Sequence, residues 1–349
     1  MSVSVDIEKN LGSFQLKVKF QAADETLALL GASGCGKSMT LKCIAGIEKP
    51  DRGRIEVDGV TLFDSERGIN LTPQKRRTGL MFQNYALFPN MTVLQNIRTG
   101  ANRETDRQKR SAEVDAVMES FGLTELAGRL PHQLSGGQQQ RTALARILVS
   151  NPRILLLDEP FSALDSHLRF RLEREVRQVI RDFGKTVLLV SHDRDEVFRM
   201  SDRIAVMDNG SIQAIGTKAE VFAAPKTRKG AMLTGCKNIS GIRRLENGKI
   251  FAEEWGVALE FPNLPGEIDA VGIRMHDICA GTGINSFRCG VLEEIENPFS
   301  VTVMLYPLNA QWNSPIGWEM DKKFWKEIRS SEVDISLPPR ALLPLRDEL

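Results

Sequence analysis

Residues 31–38 constrain the fold of this chain more than any other segment. Their sequence, Gly-Ala-Ser-Gly-Cys-Gly-Lys-Ser, has the G-x-x-x-x-G-K-[ST] spacing of a phosphate-binding loop. An apolar run at residues 26–30 predicts a strand before this loop, and residues 39–45 predict the first turns of a helix after it. Glycines at 31, 34 and 36 let backbone N–H groups surround a phosphate at the positive end of that helix. The pattern therefore predicts a strand, a phosphate loop and a helix in succession.

Lys37 and Ser38 end the loop with the two side chains that its chemistry needs. We expect the Lys37 ammonium to reach the β- and γ-phosphates of a nucleotide and the Ser38 hydroxyl to ligate Mg²⁺. The alternative is a glycine-rich turn that contains a lysine by chance. The predicted strand before the loop and helix after it argue against that alternative.

Length and charge limit the classes of protein that remain. A chain of 349 residues exceeds what one hydrophobic core usually holds, so two domains are expected. The 46 basic and 45 acidic residues give a net charge of +1, which predicts no general attraction to nucleic acid or to an acidic membrane surface. The five cysteines form no C-x-x-C pair, and Cys35 lies inside the phosphate loop, so we expect reduced thiols in a cytosolic protein.

The sequence predicts no membrane-spanning segment. Residues 1–8 alternate like a strand and lack the charged-then-apolar layout of a signal peptide. No apolar run approaches the roughly 18 residues that a membrane helix requires. If the chain works at a membrane, we expect another subunit to hold it there.

Predicted strands and helices alternate up to about residue 230, which indicates a mainly parallel sheet. Residues 84–134 interrupt this alternation with helical periodicity and predict a helical insertion. Beyond about residue 236 the helices are expected to stop, and short alternating runs predict a small β-barrel. We expect the domain boundary near residues 225–237.

Polar side chains follow three of the predicted strands. Asp158 and Glu159 come directly after the apolar run at 154–157, so we expect Asp158 beside Mg²⁺ and Glu159 polarising a water in line with the γ-phosphate. His192 leaves the next strand and can hydrogen-bond the γ-phosphate or that water. Gln83 leaves an earlier strand and can ligate Mg²⁺ or the water. Each also has a structural alternative: an acid pair that solvates a loop, a structural histidine, and an ordinary polar strand end.

Leu-Ser-Gly-Gly-Gln at residues 134–138 completes a set of motifs. In order, they are the phosphate loop, Gln83, this pentapeptide, Asp158 with Glu159, residues 162–165, and His192. This order resembles the nucleotide-binding subunit of ATP-binding-cassette (ABC) transporters, and other phosphate-loop NTPases lack the pentapeptide. The resemblance covers residues 1–230 and implies an α/β P-loop NTPase domain of the ABC ATPase type, with a helical subdomain at about 84–150. Residues 237–349 would form a small all-β, OB-like barrel domain with a regulatory or dimerisation role.

The resemblance also implies a head-to-tail homodimer that closes over ATP and Mg²⁺. In it, Ser135 and the backbone of Gly136 and Gly137 of one subunit contact ATP held by the phosphate loop of the other. The residues that the resemblance assigns to ATP are Gly31, Ser33, Gly34, Cys35, Gly36, Lys37, Ser38, Met39, Ser135, Gly136, Gly137, Gln138 and Asp165. It assigns Ser38, Gln83 and Asp158 to Mg²⁺, and Glu159, His192 and Gln83 to catalysis. Where the family stacks adenine on an aromatic ring, this chain has Leu11, with Phe14 nearby.

Residues 75–90 resemble the importer branch of the family. Residues 64–77 resemble molybdate or tungstate import ATPases more than sugar importers, and sulfate, ferric iron and polyamine importers have related subunits. The resemblance implies two transmembrane permease subunits, a solute-binding protein reached through them, and a peripheral position at the cytoplasmic face of the membrane. Nucleic acid is not an expected partner. The alternatives are an ABC ATPase acting in DNA repair or translation, and a nucleotide-sensing regulator without a transport role.

Residues 237–349 carry none of the nucleotide motifs. Residues 271–277 resemble the barrel appended to importer ATPases. The N–H groups and hydroxyls of residues 281–286 can bind an oxyanion with help from Arg274 or Arg288. This hypothesis predicts that cargo bound at the lobe holds the ATPase domains apart, and a purely structural dimerisation lobe is the alternative.

Overall fold

The structure is a computed structural model that describes residues 2–101, 105–162, 166–245, 248–262 and 264–347, apart from the side chains of 166–168. Its contacts divide the chain into two compact units, Met1–Lys218 and Ala219–Leu349. Each unit has hydrophobic cores of its own. None of the described helices is both long enough and apolar enough to cross a membrane.

The first unit is built on a mixed sheet of eleven described strands. The strands are β1 (Ser2–Asn10), β2 (Gln15–Ala23), β3 (Thr26–Leu30), β4 (Arg52–Val57), β5 (Val60–Asp64), β6 (Ile69–Asn70), β7 (Thr78–Met81), β8 (Ile154–Asp158), β9 (Val187–Ser191), β10 (Arg203–Asp208) and β11 (Ser211–Thr217). The helices are α1 (Lys37–Ala45), α2 (Pro73–Arg76), α3 (Val93–Gly100), α4 (Arg107–Ser120), α5 (Gly136–Leu148), α6 (Ser166–Phe183) and α7 (Arg194–Met200).

Half of this sheet is parallel. The strand order is β6-β5-β4-β1-β2-β11-β10-β3-β9-β8-β7, and the run from β10 to β7 pairs in parallel. The remaining pairs are antiparallel, apart from one parallel residue pair between β11 and β2. The predicted α/β phosphate-loop fold is confirmed.

Continuous apolar sequence explains why the central strands lie inside. Every residue of β3, β8 and β9 is buried, as a parallel sheet covered by helices requires. Because neighbouring parallel strands run in one direction, the segments that follow them meet at one edge of the sheet. The segments after β3, β8, β9 and β7 are the phosphate loop, Glu159, His192 and the Gln83 turn. The topology therefore places these four segments together, at the carboxyl ends of the parallel strands.

The helices α3, α4 and α5 share a small core of their own. Its buried members are Val93, Ile97, Ala101, Val114, Met118, Leu123, Leu134, Ala145 and Val149. Thr92 starts α3 with a capping box, and Asp106 starts α4 by accepting hydrogen bonds from the backbone of Gln108 and Lys109. These helices occupy the segment for which the sequence predicts a helical insertion.

Arg76 is an unexpected buried charge in the first unit. It is 1% exposed, and its guanidinium donates to the carbonyl oxygens of Cys43 (2.7 Å) and Ile44 (2.9 Å) in the last turn of α1. The other donors reach Leu71 O and Asn70 Oδ1, both at 2.8 Å. Such hydrogen bonds satisfy carbonyls at a helix end that have no partner within the helix.

The second unit is rich in β-structure. Its elements are α8 (Lys218–Ala223), α9 (Arg228–Leu233), β12 (Asn238–Arg244), β13 (Lys249–Ala252), β14 (Val257–Glu260), β15 (Ala270–Ile273), β16 (Cys279–Ala280), β17 (Ser286–Glu296), β18 (Ser300–Pro307), β19 (Ile316–Asp321), α10 (Lys322–Ile328), β20 (Glu332–Ser336) and β21 (Leu343–Leu345). Two five-stranded antiparallel sheets, β14-β13-β12-β15-β21 and β16-β20-β17-β18-β19, contribute to one core that buries Trp255 and Trp318. The C-terminal unit is rich in β-structure, as predicted, and its form as an OB-like barrel stays a prediction.

The expectation that helices stop beyond residue 236 is wrong, because α10 lies in this unit. Asp321 caps α10 by accepting a hydrogen bond from the backbone of Lys323. Trp325 is buried and donates from Nε1 to Glu294 Oε2 at 3.0 Å. Seven residues carry too few apolar positions to show a helical period, so the sequence pattern did not reveal this helix.

Candidate functional site

The phosphate loop connects β3 to α1, and its lysine is buried. Lys37 Nζ donates hydrogen bonds to the carbonyl oxygens of Gly31 and Ala32, both at 2.8 Å. Gly36 precedes α1 with a φ of 103°, and a Cβ there would lie 2.6 Å from Leu16 Cδ1, so only glycine fits. No described side chain caps the start of α1, whose first N–H groups favour an anion. The loop is therefore suited to phosphate.

The structure places most of the other residues that the resemblance assigns to ATP at or near the surface. In the phosphate loop, Ser33 and Gly34 are exposed, Met39 is half-buried, and Cys35 is buried. In the Leu-Ser-Gly-Gly-Gln segment, Ser135 is exposed, Gly136 and Gln138 are half-buried, and Gly137 is buried. Asp165 lies outside the described residues.

Ser38 and Asp158 come from different elements and meet directly. Ser38 lies in the first turn of α1, Asp158 ends β8, and Ser38 Oγ donates to Asp158 Oδ1 at 2.7 Å. The pKa of Asp158 is raised, chiefly by burial, although the hydrogen bond from Ser38 opposes the shift. A hydroxyl and a carboxylate are oxygen ligands of the kind that Mg²⁺ prefers. The pair therefore fits the Mg²⁺ that the fold implies.

Glu159 lies between the other two predicted catalytic side chains. Glu159 Oε1 is 3.1 Å from His192 Nδ1, and Gln83 Nε2 donates to Glu159 Oε2 across a long 3.5 Å. The Glu159 side chain is 15% exposed and that of His192 is 56% exposed. The φ of Glu159 is 46°, in the left-handed region that non-glycine residues seldom adopt. The structure thus brings a shielded carboxylate together with a histidine and an amide, a set that can take a proton from water.

Ser135 begins α5 with a capping box. Its backbone N–H donates to Gln138 Oε1 at 2.8 Å, and the Gln138 N–H donates to Ser135 Oγ at 3.4 Å. All the hydrogen bonds described for Ser135 lie within residues 135–139. Gly137 faces α6, where a Cβ would lie 3.0 Å from Leu172 Cδ2. The Leu-Ser-Gly-Gly-Gln segment therefore exposes Ser135 at the start of α5, while Gly137 packs against α6.

Arg146 positions the turn after Gln83, and no sequence pattern indicated it. Its guanidinium donates to Tyr85 O at 2.9 Å and to Ala86 O at 2.8 Å, and both of these residues have positive φ. The same guanidinium lies 5.4 Å from the centre of the Phe88 ring. Arg146 belongs to α5. The helix that begins within the Leu-Ser-Gly-Gly-Gln segment therefore also holds the turn after Gln83 in place.

Gln140 is a second positioning residue that the motifs did not indicate. It is fully buried in α5 and donates from Nε2 to Pro160 O at 3.1 Å, directly after Glu159. In the sequence, the position of Gln140 on the apolar side of a helix indicates a buried polar group that needs a partner. It does not show which carbonyl is that partner.

The two candidates for adenine contact differ in exposure. Leu11 is 40% exposed in the turn between β1 and β2. Phe14 packs against the core, and its Cζ would lie 3.2 Å from a Cβ at Gly36. Phe14 therefore packs beside the phosphate loop at Gly36, whereas the aliphatic side chain of Leu11 is exposed.

The two arginines considered for an oxyanion in the second unit have protein partners. Arg274 donates to Thr234 O at 2.6 Å and to Phe222 O at 2.5 Å. Arg288 pairs with Glu332 at 2.9 Å. The guanidinium of Arg274 is therefore taken up by backbone carbonyls, and that of Arg288 makes a surface ion pair.

The sequence of the chain is similar to a known protein family and to named transport proteins. A family model described as ABC transporter matches residues 15–162. The trehalose/maltose import ATP-binding protein MalK of Thermococcus litoralis is 46% identical over 202 residues, which cover 58% of this chain and 54% of that protein. The spermidine/putrescine import ATP-binding protein PotA of Bacillus cereus is 46% identical over 216 residues, which cover 62% of this chain and 64% of that protein. The chain thus spans between about half and two thirds of the length of these relatives.

A solved structure shows the same fold. It is cbiO1 from Clostridium perfringens, described as part of the ABC transporter complex cbiONQ. The superposition has a TM-score of 0.54 at 30% sequence identity and covers 63% of this chain and 90% of that one.

Proposed function

The chain belongs to the ABC transporter family, and from this membership we propose that it hydrolyses ATP to power a membrane importer. The observation that supports the proposal most is the meeting of strand ends in the first unit. These strand ends bring together Lys37 of the phosphate loop, Ser38 hydrogen-bonded to Asp158, and Glu159 next to His192. Phosphoryl transfer to water requires a phosphate-binding loop, ligands for a metal cation and a base shielded from solvent, and all three lie where these strands end.

Each of these residues has a task that follows from its chemistry. Lys37 and the N–H groups at the start of α1 hold the β- and γ-phosphates. Ser38, Asp158 and Gln83 would hold Mg²⁺, whose charge would neutralise that of the phosphates. Glu159 accepts the proton of the attacking water, and His192 orients Glu159 through their 3.1 Å contact.

The proposal includes a homodimer with ATP at its interface. Ser135 is exposed, and its capping box with Gln138 holds the start of α5 in a fixed shape. An exposed helix start with N–H groups and a serine hydroxyl suits the γ-phosphate of a nucleotide bound to a second copy. The importer role adds two permease subunits, a solute-binding protein reached through them, and a peripheral place at the cytoplasmic face of the membrane.

We infer that the cargo is an organic solute of the polyamine or sugar class. The two named relatives are import proteins for these classes. The resemblance of residues 64–77 to molybdate or tungstate importers has a structural explanation that needs no cargo. Asp64 Oδ1 accepts hydrogen bonds from the backbone of Glu66 and Arg67, and Arg76 caps α1. These residues serve the fold, and the carbonyl partners of Arg274 weigh against its use in an oxyanion site in the second unit.

Phosphate release from ATP by the purified chain tests the enzymatic part. We expect hydrolysis that requires Mg²⁺, that Asp158→Asn abolishes, and that Asp182→Asn on the exposed face of α6 leaves unchanged. An absence of Mg²⁺-dependent hydrolysis with the permease present would rule the proposal out. Uptake of labelled spermidine, maltose and molybdate by cells with and without the gene then tests the cargo, and loss of molybdate uptake alone would restore the oxyanion hypothesis.

A further inference from the structure

Glu196 is a buried carboxyl group in α7 that the mechanism above does not use. It is 3% exposed, and among the described residues Glu196 Oε1 has no hydrogen-bond partner. Its side chain shares a hydrogen bond with Ser191. Ser191 directly precedes His192 in the chain. The buried carboxyl group is therefore hydrogen-bonded to the residue next to a predicted catalytic side chain.

The charged groups around Glu196 are already paired with one another. Glu173 of α6 accepts hydrogen bonds from Arg199 at 2.7 and 2.9 Å. Arg169, also on α6, pairs with Asp193 at 3.1 Å. The strands β3 and β9 also pack against α7 and contribute no titratable side chain. The described surroundings therefore contain two guanidiniums for three carboxyl groups, and Glu196 is the one left without a cation.

A buried carboxyl group without a cation favours its neutral form, because an unpaired charge in a protein interior is costly. The electrostatics agree: burial, together with the charges of Asp193 and Glu173, raises the pKa of Glu196 to about 8. Ser191 and Arg169 act in the opposite direction without cancelling the shift.

Hydrogen bonds through Ser191 connect the Glu196 carboxyl group to the turn that carries His192. The Ser191 side chain hydrogen-bonds the Glu196 side chain, and Ser191 Oγ accepts from the Asp193 N–H at 3.0 Å. Asp193 in turn caps α7 by accepting from the Glu196 N–H at 3.0 Å. We propose that neutral Glu196 is a positioning residue that fixes the turn at residues 191–193 and so keeps His192 beside Glu159. Ionisation would place a third negative charge beside Asp193 and Glu173 and loosen that turn. The proposal rests on the proposed ATPase function.

The test compares the full-length wild-type protein with two variants. Glu196→Gln keeps the shape and stays neutral at every pH. Asp195→Asn removes a carboxylate from the adjacent position of α7, where the side chain is 65% exposed, and serves as the control. Thermal unfolding and Mg²⁺-dependent ATP hydrolysis are measured from pH 6 to pH 9 for all three proteins.

In the unfolding arm, wild type and Asp195→Asn should lose stability relative to Glu196→Gln as the pH rises to about 8. The raised pKa means that the unfolded chain releases the proton earlier, so the free energy of unfolding falls across this range. In the hydrolysis arm, the wild-type rate should fall about tenfold between pH 7 and pH 9, because one unit above a pKa roughly nine tenths of a group is ionised. The rate of Glu196→Gln should stay level over the same interval.

Parallel stability profiles for wild type and Glu196→Gln would overturn the proposal, since Glu196 would then be ionised already at neutral pH. Diverging stability profiles with parallel hydrolysis profiles would also overturn it, because the residue would then be structural only. A wild-type protein that hydrolyses no ATP at any pH, with the permease present, would instead refute the proposed function, and the unfolding arm would still report the charge of Glu196.

Discussion

Ser38 Oγ and Asp158 Oδ1 lie 2.7 Å apart although 120 positions separate the two residues in the chain. This hydrogen bond joins the first turn of α1 to the end of β8 and aligns the two oxygen ligands expected for Mg²⁺. A change in either strand or helix would therefore alter the cation site and the phosphate loop together. The predictions below follow from contacts of this kind.

Lys37→Ala should abolish ATP hydrolysis and weaken nucleotide binding, because it removes a charge-assisted contact to the phosphates. It also removes the buried hydrogen bond from Lys37 to the Gly31 carbonyl oxygen, at a cost of about 1–3 kcal/mol in the free energy of unfolding. Titration with a fluorescent ATP analogue and thermal unfolding measure the two effects. Lys42→Ala, on the same helix, is the control and should bind nucleotide normally.

Glu159→Gln should leave ATP binding intact while stopping turnover, because an amide cannot accept the proton of the attacking water. The expected readout is an ATP-bound dimer that persists in size-exclusion chromatography. Glu175→Gln, a half-buried glutamate of α6, is the matched control and should hydrolyse at the wild-type rate. Wild-type hydrolysis by the Glu159 variant would disprove its assignment as the catalytic base.

Ser135→Ala should cost about 1 kcal/mol of stability, because it removes a helix cap. It should also prevent ATP-dependent dimerisation, which analytical ultracentrifugation measures. Ser135→Asn retains a good capping group and should restore the stability without restoring the dimer. A variant with asparagine that dimerises as well as wild type would show that the serine acts only as a cap.

Phe88→Ala should preserve folding and isolated ATPase activity while abolishing binding to the permease. Phe88 is 46% exposed with Arg146 against its ring, as expected of an apolar anchor at a docking surface. Leu94 packs against the core of α3, α4 and α5, so Leu94→Ala should destabilise the protein instead. Co-purification with the permease and thermal unfolding separate the two effects, and unfolding of Phe88→Ala would assign that residue to the core.

The predictable part of the site consists of residues whose surroundings are set by their immediate sequence neighbours. The buried run of β8 continues into Asp158 and Glu159, so the strand end could be located without knowing the fold. Lys37 follows a loop whose glycines permit backbone conformations that other residues seldom adopt. In both cases a few consecutive residues contain the physical cause.

The unpredicted part depends on pairs of residues that are far apart in sequence. Arg146 reaches Tyr85 across 61 positions, and nothing in the local sequence of α5 selects that carbonyl. Arg274 looked available for an oxyanion because the sequence does not show that Phe222 and Thr234 take its donors. Arginine carries five N–H donors, so its partner is decided by the folded backbone rather than by its neighbours in the chain.

The hydrogen bonds of Arg76 give α1 a fixed end opposite the phosphate loop. The helix begins at Lys37 and ends where Arg76 binds the carbonyls of Cys43 and Ile44. A Cβ at Gly46 would lie 2.5 Å from Arg76 Nε, so the guanidinium and the glycine fit only together. Nine residues span about 14 Å, and a genetic screen for loss of ATP use should therefore recover substitutions at Arg76 and Gly46, a helix length away from any atom that touches nucleotide.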